Sequence, residues 1–381
     1  MMTNLVVACA QQQMRLFDSA EAYRKELSRF LHLARAKGAG LVVFPALAGV
    51  MVAGPLVEGF RVNLLRQADA QRRQSSFWSR TRGALASSTA GLLGASFRKA
   101  FAQLLQADPA GLLAAYETTF GELARAYEAT IVAGSAYLPD ATGVIRHQAA
   151  VFGPDGTVLG RHNKMALSPE DEGLAVAGDA WTVVPTPAGR IGILLGEEAL
   201  FPEAGRVLAY DGAELLVTLA AAGNETLAAY LRAATLARSQ ENQCFALSSF
   251  LVGKNHLAAE TGGQAATSSE FAGKSGIYAP LELTPRATGI LVEMGTTSSE
   301  GLITAELDQT RLHELWQTGA APLRRTMPAE LFANYLPALY GSRRTLAAAW
   351  DSVEPAAQAA PETVAAGQAI VPVETGLETS S

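Results

Sequence analysis

Short apolar runs that read as buried strands alternate with amphipathic helical stretches from the first residues onward, a rhythm that restricts the chain to a layered α/β architecture. LVVACA (5–10) reads as a strand, and residues 19–38 follow as a helix. Asp18 or Ser19 is placed to cap that helix, Tyr23, Leu27, Phe30, Leu31 and Ala34 share one face, and Gly38 ends it. LVVFP (41–45) closes a strand-helix-strand unit, and FGELARAYEA with TIVAGSAYL (120–138) repeats the plan. Residues 147–164 read as a hairpin turning at Pro154-Asp155-Gly156, where proline and glycine supply the turn dihedrals. RIGILLG, AELLVTLA, QCFALSSFLVG, SGIYAP and GLITAELD supply further strands, with helices at 201–212 and 227–242 between them.

A chain of 381 residues with 49% apolar and 17% charged side chains can bury a sizeable core, and one large domain with appendages is the expected organisation. That domain is expected over 1–342, with an insertion at 53–116 and a low-complexity, acidic, disordered tail at 343–381. The two cysteines, Cys9 and Cys244, both sit in apolar runs, so no disulfide framework, zinc site or cofactor motif follows. The first residues lack the basic stretch of a signal peptide, and no run reaches the ~18 apolar residues of a membrane span, so the cytoplasm is the expected location.

Several segments carry a more specific message when read in order. GLVVFP (40–45) ends a strand in Phe-Pro, GTVLGRHNK (156–164) ends a hairpin in lysine, and GRIGILL (189–195) runs toward Phe201-Pro202-Glu203. AELLV (213–217), Arg238 with Glu241-Asn242, and a late Gly-Lys-Ser-Gly-Ile before a proline continue the set. The ordered series, spanning about residues 4–316, resembles the nitrilase superfamily of carbon-nitrogen hydrolases. The resemblance implies an α-β-β-α sandwich of two mixed sheets with helices outside, and a homodimer or larger assembly formed through helices that flank the site.

The chemistry of that superfamily needs a thiol nucleophile, a carboxylate to deprotonate it, and a fixed cation to steady the oxyanion of the intermediate. By resemblance these come from a glutamate after Phe-Pro, a cysteine at the tight turn before Phe-Pro-Glu, and the lysine after the hairpin. Here only Lys164 is kept. Ala46 stands at the base position and Gly196 at the nucleophile position, followed by Glu197 and Glu198 where a tyrosine and an aspartate are usual. Glu172, eight residues beyond the lysine, is the candidate for the family's accessory glutamate, with Glu170 and Asp171 beside it in the same loop. A buried lysine needs a partner, so an ion pair from Lys164 to Glu197 or Glu172 is expected, with Glu198 keeping a hydrogen-bonding role. Cys9 and Cys244 are expected to be core thiols.

Residues 61–108 are the other departure. They carry eight basic side chains (Arg61, Arg66, Arg72, Arg73, Arg80, Arg82, Arg98, Lys99) against Asp69 and Asp108, a net of +6 in a protein of net −6. Apolar residues with partly helical spacing interleave the charges, as in SFRKAFAQLLQADPAGLLAAY (96–116). The segment reads as a helical lid over the site mouth, or as a basic amphipathic surface for an anionic membrane or an acidic protein; no nucleic-acid motif accompanies it. Three functions follow: a catalytically silent homologue that binds, scaffolds or regulates, with a small amide or carboxylic compound as the ligand class; a hydrolase of altered chemistry using Lys164 with Glu197 or Glu198; and a membrane-peripheral protein acting through the insertion.

Overall fold

The computed structural model describes residues 4–57, 59, 97–258, 270–319 and 323–341. One sheet comprises β1 (Asn4–Gln13), β2 (Leu41–Val43), β3 (Thr130–Val132), β4 (Ala136–Pro139), β5 (Ile145–Phe152), β6 (Val158–Asn163) and β14 (Gly301–Asp308). β1, β2 and β3 pair in parallel, whereas β14 lies antiparallel to β1, and β5 lies antiparallel to β3, β4 and β6. The second sheet holds β7 (Val183–Thr186), β8 (Gly189–Leu195), β9 (Leu215–Ala220), β10 (Phe245–Lys254), β12 (Gly276–Tyr278) and β13 (Ile290–Glu293), with parallel pairing from β8 through β10. The short β11 (Glu270–Phe271) pairs with the end of β10. The sheets join edge to edge where β1 and β10 pair at Gln12↔Leu251 and Gln13↔Val252.

Side-chain alternation along the strands builds three apolar layers. Val7 and Cys9 of β1, Leu41 and Val43 of β2, Ile191, Ile193 and Leu195 of β8, and Leu215, Val217 and Leu219 of β9 meet in one core between the sheets. The opposite face of the first sheet packs Ala8, Ala10 and Val42 against α1 (Ala20–Ala36), α2 (Phe97–Ala107) and α3 (Pro109–Tyr127). The outer face of the second sheet packs Leu194, Leu216 and Ala246 against α4 (Pro202–Tyr210) and α5 (Glu225–Asn242). Helix, sheet, sheet and helix therefore stack as a four-layer sandwich, and the continuous apolar runs follow from strands covered on both faces. α1 shows why the helices sit as they do: Ser19 caps it by accepting from the Ala22 amide, and Tyr23, Leu27, Phe30, Leu31 and Ala34 are its buried residues.

Of the insertion, residues 53–57 and 59, α2 and the start of α3 are described. α2 lies inside the expected insertion, and its apolar face (Ala100, Phe101, Leu104, Leu105) is buried in the core, so that face is not free for a membrane or a partner. α3 begins at Pro109, capped by Asp108, and runs unbroken to Tyr127, so the helix expected from Phe120 starts well inside the insertion. Residues 61–96 and the 343–381 tail lie outside the described residues. No helix among the described residues is long and apolar enough to cross a membrane.

α6 (Gln309–Thr318) and α7 (Leu323–Thr326) complete a first compact unit, which runs to Thr326. A second unit starts at Met327; its described part is α8 (Ala329–Gly341), on which Leu331, Phe332, Tyr335, Leu336, Leu339 and Tyr340 are exposed.

The fully buried ring of Phe101 makes the attachment of α2 measurable. Phe101→Ala is expected to lower the unfolding free energy by about 3–5 kcal/mol, read by urea denaturation; an unchanged midpoint would mean that α2 is not part of the core.

Candidate functional site

Three chain segments that leave strands converge on one pocket. β2 runs through Phe44-Pro45 into Ala46 and Leu47, β6 ends beside Lys164, and β8 turns at Gly196. Ala46, Leu47, Lys164, Gly196 and Glu197 line a cavity of about 40 Å³, closed further by Tyr137, His147, Ser168, Glu170, Asp171, Asn255 and Phe271. That volume admits water or a very small group.

Lys164 is 2% exposed. Its Nζ donates to Asp171 Oδ2 at 2.8 Å, Glu197 Oε2 at 3.1 Å and Ser168 Oγ at 3.2 Å, which engages all three of its hydrogens. Burial by itself would lower the lysine pKa, but the Glu197 and Asp171 carboxylates outweigh it and hold the group above its ordinary value. Asp171 is placed for the same balance: burial would raise it, yet hydrogen bonds and charge from His147 and Lys164 hold it well below the usual carboxylate range. Its Oδ1 also accepts from His147 Nδ1 at 2.7 Å and Tyr137 Oη at 2.9 Å, and Oδ2 from the Ser168 amide at 2.8 Å.

The expected Lys164–Glu197 pair is present, and the second partner is Asp171. Glu172 is exposed and does not line the pocket, which corrects the choice made within that loop. The cause is local. The single 3-10 turn Pro169–Asp171 points the residue seven positions after the lysine inward and leaves the eighth outside. The loop's three consecutive acids were visible in the sequence, but their phase was not. His147, Tyr137 and Ser168 carried no signal of their own.

Glu198 is fully buried and joins two turns: Oε2 accepts from His162 Nε2 at 2.7 Å and the Leu195 amide at 2.8 Å, and Oε1 from the Met165 amide at 2.7 Å. Burial opposes the charge, while His162 and the two amides hold the carboxyl below its ordinary pKa. With both oxygens committed, Glu198 fixes the register of the Lys164 and Gly196 turns and is no part of the pocket lining.

Gly196 has φ +57, the left-handed region, and a Cβ built there would meet only Lys164 Nζ, at 3.7 Å, within 4 Å. Neither cysteine lines the pocket; Cys9 lies between the sheets and Cys244 among the helices of the second, where burial pushes its thiol up to about 11. Ser135, His147 and Asp171 form a hydroxyl-imidazole-carboxylate chain, with Ser135 Oγ 2.7 Å from His147 Nε2. Ser135 is wholly buried, its Oγ accepts from the Leu47 amide at 2.9 Å, and it does not reach the cavity, so the chain braces the wall instead of presenting a nucleophile. Among the described residues no group of three or more His, Cys, Asp or Glu side chains is arranged to hold a metal.

A four-layer sandwich whose pocket gathers a lysine and carboxylates at strand ends defines a class, and residues 6–316 match the carbon-nitrogen hydrolase family. The chain belongs to that family. It is 28% identical to the probable hydrolase YhcX of Bacillus subtilis over 54% of this chain and 38% of that protein. It is 31% identical to the omega-amidase NIT2 of Bos taurus over 32% of this chain and 48% of that one. These matches span less than half the length of either relative. Among solved structures, the carbon-nitrogen hydrolase of Helicobacter pylori G27 superposes with a TM-score of 0.62 at 17% identity, covering 88% of this chain and 99% of that one. Nit3 of Saccharomyces cerevisiae, a nitrilase-superfamily member, gives 0.56 at 18% identity over 85% and 97%.

Because Asp171 is depressed in the fold, its stabilisation is complete above the unfolded carboxylate pKa of about 3.9 and is lost as pH falls below it. Asp171→Asn is expected to cost about 3 kcal/mol at pH 7 by removing the more buried of the ammonium's two carboxylate partners, and to flatten the loss of stability between pH 4 and pH 2. Urea unfolding across that range checks both parts.

Proposed function

We propose that this carbon-nitrogen hydrolase homologue does not hydrolyse carbon-nitrogen bonds and serves instead as a binding, scaffold or regulatory protein, itself a homo-oligomer. The reading rests on the occupants of the three catalytic positions that the resemblance assigns. Ala46 has no proton to exchange, Gly196 has no side chain, and Lys164, the retained member, spends every N–H on the protein's own acceptors. The last observation carries most weight, because a lysine without a free donor offers nothing to a developing oxyanion. Loss of a nucleophile alone lowers kcat by about a million-fold in a concerted set.

Altered chemistry through the acidic pair is the weaker reading. Glu198 has both oxygens committed to the fold, and Glu197 is held by Lys164 in an ion pair that lowers its nucleophilicity. Docking on an anionic membrane through 61–108 is the third reading; of that segment, the apolar side chains of α2 are in the core, which leaves residues 61–96 to carry it. For an occupant of the pocket, a small amide suits the walls better than a carboxylate, which would face Glu170 and Glu197 without a free cation among the described lining residues.

The wild-type protein is expected to show no turnover of amides, nitriles or carbamyl compounds above that of Lys164→Ala; turnover that depends on Lys164 would overturn the proposal. The register behind it has its own test. A thiol introduced by Gly196→Cys stands next to the Lys164 ammonium and is expected to titrate below about 8.5, measured as the pH dependence of iodoacetamide alkylation. A thiol titrating at or above that value would mean that residue 196 is not the nucleophile position.

A further inference from the structure

The pocket has a wall contributed from outside the three strand ends. Arg98, on the first turn of α2, reaches across to two separate stretches of chain. Its Nη1 donates to the carbonyl of Glu170 at 3.1 Å and that of Leu257 at 3.1 Å, while Nη2 donates to Glu170 at 3.1 Å and to Glu172 at 3.2 Å. Glu170 and Glu172 flank Asp171, the buried partner of Lys164. Leu257 follows the pocket residue Asn255 on the chain leaving β10, and its amide donates to the Asn255 side chain at 2.9 Å. The same helix packs Phe101 against the pocket ring of Tyr137, with centroids 6.1 Å apart, and Phe97 stacks on Phe101 at 5.8 Å.

We infer that Arg98 is a positioning residue of the pocket: its guanidinium ties the loop that carries Asp171 to the chain after β10, so the helical insertion sets the geometry around Lys164. The chemistry of the group suits the task. A guanidinium presents donors in a rigid planar fork that can serve several carbonyls at once, whereas an ammonium on a flexible stem cannot hold the same fork. Loop carbonyls on the two stretches have no strand ladder between them, so Arg98 supplies the cross-link that the sheet does not. Asp171 is one residue from two of the anchored carbonyls, and release of the loop moves it relative to Nζ. The inference concerns geometry and holds whether or not the pocket is catalytic.

The readout is the reactivity of Lys164 itself. The groups that face its ammonium are Asp171, Glu197 and Ser168, with His147 and Tyr137 one bond further on Asp171. The full-length protein is acylated with limiting acetic anhydride from pH 7 to 11, and each lysine is followed by mass spectrometry, exposed lysines serving as internal standards. In Arg98→Ala, Lys164 acylation at pH 9 is expected to rise about tenfold, the change given by a one-unit fall in the amine's pKa. Arg98→Lys, which keeps the cation but not the fork, is expected to fall between wild type and Arg98→Ala. Leu105→Ala, a buried change on the same helix that leaves the guanidinium in place, is expected to lower the melting temperature and to leave Lys164 reactivity unchanged. Equal reactivity in Arg98→Ala and wild type, or an equal rise in Leu105→Ala, overturns the inference. Full rescue by Arg98→Lys would also overturn it, because charge alone would then be sufficient.

Discussion

The buried ammonium of Lys164 is the charge around which the site is arranged. At 2% exposure an isolated cation would be several kcal/mol out of balance, and the fold answers with Asp171 and Glu197 at hydrogen-bond distance and a serine hydroxyl for the third hydrogen. Those partners need support in turn. Asp171 receives His147 and Tyr137 on Oδ1, and Lys164 and the Ser168 amide on Oδ2, so one oxygen is held by two strand side chains and the other is shared between the lysine and the loop itself. The outcome is a closed network in which one carboxylate organises a loop, a strand and the lysine. Loosening any member exposes a charge to a medium that cannot solvate it.

The second constraint is the registration of strand ends. Lys164 follows β6 in the first sheet and Gly196 follows β8 in the second, so their meeting depends on how the two sheets face each other. Glu198, inside the 3-10 turn Gly196–Leu200 and three residues after Leu195, makes that connection by accepting from the Leu195 and Met165 amides and from His162. The inter-sheet core of Val7, Cys9, Ile193 and Val217 sets the separation, and Glu198 sets the offset. A carboxylate with this work is structural even though it stands two residues from Gly196, the proposed nucleophile position.

Much of this was legible in the sequence because the relevant signals are periodic or ordered. The strand runs, the α1 face from Tyr23 to Ala34 and the Pro154-Asp155-Gly156 turn are local patterns that give a layered α/β fold, and the four-layer sandwich follows from the ordered resemblance to the nitrilase superfamily. The Lys164–Glu197 pair was accessible from the cost of burying a lone lysine. Asp171 in place of Glu172 was not, because the phase of a three-residue turn depends on the tertiary position of Ser168 and Pro169. The fate of α2 was hidden for a related reason: its arginine and lysine suggested a surface, while Phe101 and Leu104 were equally suited to a core. Composition reports both faces of a helix, and only packing chooses between them.

Two left-handed residues border the pocket, Gly196 at φ +57 and Leu47 at φ +59. A leucine in that region carries a cost of about 1–2 kcal/mol, and its surroundings hold it there: its amide donates to Ser135 Oγ, itself bonded to His147. The glycine needs no such support. On the proposed reading, the nucleophile turn has kept its backbone while its side chain has gone, and glycine is the residue that allows this without strain. The Leu47 turn has no such release and remains braced by Ser135, His147 and Asp171, the same chain of hydrogen bonds that ends on Lys164. The backbone of the site is thus held by the network that satisfies the buried lysine, independent of any nucleophile, and on the proposed reading this is a physical reason for the pocket to persist without catalysis.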